Sequence, residues 1–258
     1  MNARTRLWPW RILRDLQNNS RPGFRIMSSA RLSRAGLTTR WQARPLAVPM
    51  RIWWQCLFMR RTAVTNAEYL EFVHASGYRP KDAQNFLRQL PREGRGELPR
   101  KVSPALAALP VTYVSLADAR AYAAWKHQRL PSEAEWQWAA EGAGLGNRWP
   151  WGNDDARARD AGTVNTTGKI AGAGSYIHGG TTLGILGLTG NTWELTESEY
   201  SDGHTRFALL RGGSYLPTGQ SEWLTARGPR PNGFHAKYIL MGEGLDRSEA
   251  ISFRTVAD

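Results

Sequence analysis

The sequence predicts a loop-rich domain of capped helices and short strands, and three observations carry that expectation. Capping boxes at Thr65-Asn66-Ala67-Glu68, Ser115-Leu116-Ala117-Asp118 and Ser132-Glu133-Ala134-Glu135 mark three helix starts. In each box the hydroxyl and the carboxylate satisfy amides that the first helical turn leaves free. Strand-like runs are short, at residues 111–114, 207–211 and 251–256, and rich in β-branched or apolar side chains. Residues 143–192 are rich in glycine and short polar runs, so loops dominate there. The chain has 258 residues, 41% of them apolar, enough for a real core in one large domain or two small ones.

The elements follow in chain order. After Thr65, Tyr69, Phe72 and Val73 form one apolar helical face, and Gly77 is a natural stop. Residues 79–110, rich in Pro, Arg and Lys, are expected as a surface excursion, and residues 111–114 (Val-Thr-Tyr-Val) as a strand. The second helix turns Ala119, Tyr122 and Ala123 inward, and Trp125 is a further candidate for that inward face. The third follows Pro131 and carries Trp136, Ala139 and Ala140 to Gly142. Twelve tryptophans make large aromatics the expected filling of the core. No internal repeat is present.

Composition excludes several classes. No run of about 18 apolar residues occurs, so no transmembrane helix is expected. The single cysteine, Cys56, excludes a disulfide framework and any Cys-rich zinc or iron–sulfur site. The formal charge of +12 belongs to one end: residues 1–61 hold thirteen arginines, no lysine and one acid, Asp15. Residues 62–258 hold 21 basic and 21 acidic side chains. We therefore expect an arginine-rich leader over residues 1–56, disordered or mis-set, and a neutral domain over residues 57–258. Three readings of the leader stand: a transit-peptide-like segment containing Ser20, Ser28, Ser29 and Ser33, an arm for polyanions, or an out-of-frame translation. Nucleic acid is expected only as non-specific leader contacts. No compact apolar stretch follows the first arginines, so no secretory signal is read and a cytoplasmic location is the default.

Several segments, in order, resemble the formylglycine-generating enzyme family, also called the sulfatase-modifying-factor domain. They include Ala63-Val64-Thr65-Asn66-Ala67-Glu68-Tyr69, Pro110-Val111 through Ser115 with Asp118-Ala119, and Arg129-Leu130-Pro131-Ser132-Glu133-Ala134-Glu135-Trp136. Further on come Trp149-Pro150-Trp151-Gly152-Asn153, Gly190-Asn191-Thr192-Trp193-Glu194, Leu210-Arg211-Gly212-Gly213-Ser214 and Ser252-Phe253-Arg254. The resemblance spans about residues 57–256. It implies a compact α+β fold related to C-type lectins, with Arg211 and Arg254 in the interior. The strand-rich stretch that usually precedes the first helix in the family is not recognisable here.

The family's copper chemistry needs two thiolates, because copper(I) prefers soft sulfur ligands. By the family's spacing from Ser214, those positions are Pro217 and Glu222, and Cys56 lies outside the resemblance. The expectation is a domain without copper oxidase activity that binds a peptide or small ligand. By resemblance, Trp193, Ser214, Tyr215, Trp223 and Arg227 would line its groove. The alternative is an enzyme of different chemistry in the same groove, metal-free or with iron. Glu222, Ser214 and His235 are its candidate catalytic groups: Glu222 a carboxylate beside Trp223, Ser214 a hydroxyl without a His or Asp motif partner, His235 near basic side chains. Relatives of the sulfoxide-synthase type keep iron ligands on a separate helical domain that this chain does not show. Resemblance implies calcium at Asn165 and at Glu194, although the earlier side-chain ligand of the Glu194 site is replaced by Gly187. Calcium takes six to eight oxygens; the other reading of Glu194 is a structural acid bonded to its surroundings. Oligomeric state is left open.

Overall fold

The computed structural model describes residues 24–27, 57–216 and 228–258. Four helices lie among them: α1 (Asn66–Ser76), α2 (Pro104–Ala107), α3 (Leu116–Trp125) and α4 (Glu133–Ala140). All three expected capping boxes form, with Thr65, Ser115 and Ser132 as N-caps. Gly77 closes α1 with φ of 67°, a conformation glycine adopts without Cβ strain.

The strands are β1 (Phe24–Met27), β2 (Leu57–Arg60), β3 (Trp193–Ser201), β4 (Arg206–Arg211), β5 (Gly213–Ser214), β6 (Gly228–Pro229), β7 (His235–Ile239), β8 (Ile251–Phe253) and β9 (Val256–Ala257). They make three sheets, ordered β1-β2-β9, β7-β4-β3-β8 and β5-β6. All pairings are antiparallel except β3 with β8. The loop between α4 and β3 contains two 3₁₀ turns, Ala156–Arg159 and Ile177–Gly179.

One core lies between α1, α3 and the four-stranded sheet. At its centre Tyr69 stacks on Tyr122 at 5.6 Å, with Phe72 and Phe253 edge-on. Full burial of such side chains contributes about 1.5–3 kcal/mol each. A second, smaller core packs Trp136, Ala139 and Ala140 of α4 against Met59, Ile185, Leu188 and Val256. Thus α4 and the last strand close over the glycine-rich loop.

Two expectations change. Residues 111–114 form no strand. Val111 and Tyr113 do donate their amides, to Val64 and Ser248, but Tyr113 has φ of 53°, which breaks the pleat. The excursion at 79–110 is not all surface, because it carries α2 and sinks Phe86, Leu87 and Leu90 into the main core. Strand β1 lies within residues 1–56 and pairs with β2 from Phe24 opposite Arg60 to Met27 opposite Leu57. Large aromatics do fill the core, with Trp136, Trp193, Tyr69, Tyr122, Phe72 and Phe253 among the largest fully buried side chains. Among the described residues no helix is long and apolar enough to cross a membrane.

Candidate functional site

Two glycine motifs bring the candidate region together. Gly190, Gly212 and Gly213 have φ of 85°, 94° and 86°. A Cβ on Gly212 would stand 2.2 Å from the Leu188 carbonyl oxygen, and one on Gly213 2.1 Å from that of Gly228. Only glycine permits that approach. The Gly190 amide donates to the Gly212 carbonyl at 3.1 Å, and the Tyr215 amide to the Asn191 carbonyl at 2.9 Å. Glu194 then sits opposite Arg211 in the β3–β4 ladder.

Ser214 is 1% exposed, and among the described residues its hydroxyl has no hydrogen-bond partner. Trp193 is fully buried, in the main core, 6.1 Å from Phe234. Among the described residues its indole N–H also has no partner. Buried donors without partners are uncommon, because each costs about 1–3 kcal/mol in lost hydration. Tyr215 is half-buried; burial first, then Glu249 and Tyr113, push its phenol up to about 12, so it remains a neutral donor at pH 7. Tyr113 and Glu249 were not expected beside it. The signal that could have found Tyr113 is its place inside a Val-Thr-Tyr-Val run that a strand would otherwise occupy. Pro217, Glu222, Trp223 and Arg227 lie outside the described residues, as does Cys56.

His235 stands elsewhere, exposed on β7, with Nδ1 3.0 Å from Glu133 Oε1. The same oxygen takes Arg211 Nη2 at 2.8 Å. Arg211 is interior, as the resemblance implies: its guanidinium also donates to the Asn232 and Phe234 carbonyls and to Gln137. The basic side chains near His235 in sequence are partly engaged, with Lys237 3.8 Å over the Tyr200 ring and Arg230 5.0 Å over that of Phe234.

Glu194 is a hub. Fully buried, its carboxylate accepts Arg254 Nε at 2.7 Å, Arg254 Nη2 at 2.6 Å and Trp136 Nε1 at 2.7 Å. Arg254 donates onward to the carbonyls of Arg60, Arg61 and Leu186. Both Glu194 oxygens are therefore held by donors, one of them a full positive charge, which is the structural-acid arrangement. That edge does not fit a calcium ion while Arg254 occupies it. Asn165 closes a different knot. It donates to Lys169 O and Asn191 Oδ1, and its own oxygen accepts from the Thr167 amide and hydroxyl. Among the described residues no group of three or more His, Cys, Asp or Glu gathers to hold a metal.

Comparison with known proteins fits this geometry. The model of the "sulfatase-modifying factor enzyme 1-like domain" matches residues 22–241, a span that includes β1. "Inactive C-alpha-formylglycine-generating enzyme 2" of Bos taurus is 37% identical over 118 residues, 42% of this chain and 39% of that protein. "Hercynine oxygenase" of Mycobacterium tuberculosis is 32% identical over 155 residues, 54% of this chain and 36% of that protein. The chain thus spans about two fifths of the length of these curated relatives. "Formylglycine-generating enzyme" of Streptomyces coelicolor is 29% identical over 209 residues, 60% of this chain and 66% of that protein. Among solved structures, that of CarF superposes with a TM-score of 0.51 at 20% identity, over 78% of this chain and 85% of that one, a likeness of fold. The chain belongs to the sulfatase-modifying factor enzyme 1-like domain family.

Proposed function

We propose that this chain is a member of the family without copper oxidase activity, acting as a binding or accessory module for a peptide or small ligand beside Ser214 and Tyr215. The observation that carries the reading is Pro217 and Glu222 at the positions where the family's chemistry needs thiolates. Neither side chain can supply a soft sulfur ligand. The unpartnered hydroxyl of Ser214 and the neutral Tyr215 phenol support a polar ligand at that place, since each offers a donor for a carbonyl or carboxylate.

With copper and a peptide carrying a Cys-x-Pro-x-Arg motif, the expected outcome is no aldehyde product by mass spectrometry; an aldehyde-bearing peptide would overturn the reading. Element-by-element analysis of the purified protein tests it independently. Calcium or no metal is expected, and stoichiometric copper or iron would transfer the case to the enzyme reading.

One observation favours that second reading, acid–base chemistry at His235. The Glu133 carboxylate 3.0 Å from Nδ1 orients the ring, as a carboxylate does for a general base. Arg211 shares that carboxylate and offsets its charge, so we rank this reading second. Unchanged turnover of any substrate found in His235→Gln and Glu222→Gln variants would end it.

A further inference from the structure

A cleft of about 730 Å³ opens between the C-terminal end of α1 and the loop of residues 92–100, a volume that suits a small molecule. Arg79, Arg92, Arg95 and Arg100 line it, together with His74, and the lining acids are Glu93 and Glu97. The loop is built to present its charge. The Glu93 amide donates to the Glu97 carbonyl at 2.9 Å, and Gly94 and Gly96, with φ of 51° and 95°, put exposed Arg95 at the tip between them. Arg92 is fixed by a bond from Nη2 to the Phe86 carbonyl, and Arg79 by one from Nη1 to that of Tyr78. His74 Nε2 lies 2.9 Å from the Pro99 carbonyl and ties the loop to α1.

These four guanidiniums differ from most others in the domain. Arg60, Arg120, Arg129, Arg148, Arg206, Arg211, Arg247 and Arg254 each hold a carboxylate. Among the described residues none of the four cleft arginines does. Each guanidinium has five N–H donors in a planar fork, so those bonded to one carbonyl keep most of their donors for a ligand. The lining sets four cations against two acids, and an anion between the guanidiniums takes forked hydrogen bonds from them. Buried Val73 and Phe86 back the cleft, lowering the local dielectric and strengthening such bonds.

We propose that this cleft binds a compact, multiply charged phosphate or sulfate oxyanion on a small molecule, at a site separate from the Ser214–Tyr215 region. The charges line one cleft instead of running along a face, so a compact anion reaches them together.

The test is calorimetric titration of the full chain with inorganic pyrophosphate, and in a second arm with inorganic sulfate. We expect a saturable site that weakens with ionic strength. The Arg95→Gln/Arg100→Gln double variant should lose affinity by at least about tenfold, as charge-assisted hydrogen bonds are removed. Arg159→Gln, on an exposed residue outside the cleft, should leave affinity unchanged. Pyrophosphate binding far tighter than sulfate identifies a phosphate site, and equal binding a general oxyanion site. Binding unchanged in the double variant overturns the proposal, and absence of binding by the unaltered chain overturns it outright. Should the double variant fail to fold, the ring resonance of His74, identified against His74→Gln, decides. It shifts with pyrophosphate if the cleft is the site and stays in place if it is not.

Discussion

Interior and cleft arginines in this domain carry the same charge and do opposite work. Arg254, Arg247 and Arg211 are buried, and each binds a carboxylate together with carbonyls from distant loops. Arg247 pairs with Asp118 at 2.8 Å while donating to the Asp82 and Gln84 carbonyls; Arg254 does the same with Glu194 and three carbonyls. In a fold with short strands and long loops, a forked cation replaces the ladder hydrogen bonds that a larger sheet would supply. Among the described residues the arginines at 79, 92, 95 and 100 have carbonyl bonds at most and no ion pair. Their field points outward, where a ligand can use it. Pairing, more than burial alone, separates an arginine that builds the fold from one that waits for a partner.

That contrast can be broken at four places, in falling order of effect. Glu194→Gln leaves the Arg254 charge buried and unpaired, so urea unfolding should show a loss of about 3–5 kcal/mol. Glu194→Leu/Arg254→Met should recover part of it, held back by the carbonyls left without a donor; a loss below 1 kcal/mol in the single variant would put the interior pair in the surface class. Gly212→Ala should cost about 1–3 kcal/mol from backbone strain, with the clash against Leu188 O added. A thermal midpoint within a degree of the original would show that the neighbouring loop can yield.

Half-exposed pairs fall between the two sets and are best read through pH. Burial would raise the Glu68 carboxyl, but the Arg60 guanidinium beside it and the Thr65 amide hold it below the ordinary range. Glu135, against Arg129 and Ser132, is likewise lowered despite burial. A carboxyl depressed in the folded state contributes stability that is complete above its unfolded value, near 4.3, and lost as pH falls through the folded value. Unfolding midpoints should therefore drop steeply below about pH 4.3, and Glu68→Gln should flatten part of that drop. A profile that rises on acidification contradicts the assignment. The smallest effect is expected for Arg95→Gln/Arg100→Gln, a stability change within about 0.5 kcal/mol; a larger one would move these side chains into the structural set.

The helices were legible in the sequence because a capping box is a local device. Hydroxyl, carboxylate and the amides they satisfy lie within four residues, and α1, α3 and α4 start where the boxes are. Gly77 was legible for the same reason. The sheet was not: β3, Trp-Glu-Leu-Thr-Glu-Ser-Glu-Tyr-Ser, is buried over its first half and exposed over its second, so neither alternation nor a solid apolar run marks it. Its parallel partner β8 is more than fifty residues away. Residues 111–114 failed in the other direction, since β-branched content cannot register a positive φ at Tyr113. In the candidate site, motif resemblance located Glu194, Arg211 and Arg254, and the geometry then gave them structural partners. Trp193, which the resemblance would set in the groove, lies in the main core. The basic content of residues 79–110 marked the segment that lines the cleft, though not the cleft itself; the Tyr113–Tyr215–Glu249 neighbourhood is made by chain crossings that no local pattern registers.

The small sheet β1-β2-β9 has a consequence for synthesis on the ribosome. Residues 251–257 supply an edge of the main sheet, the strand against β2 and the cation that neutralises Glu194. Until that segment leaves the exit tunnel, β2, α4 and β3 have apolar faces and a buried acid without their partners. The nascent domain therefore stays incompletely closed until this one short stretch of chain is available. An arrest sequence placed just before residue 251 should hold it in a protease-sensitive state that release converts to a resistant one.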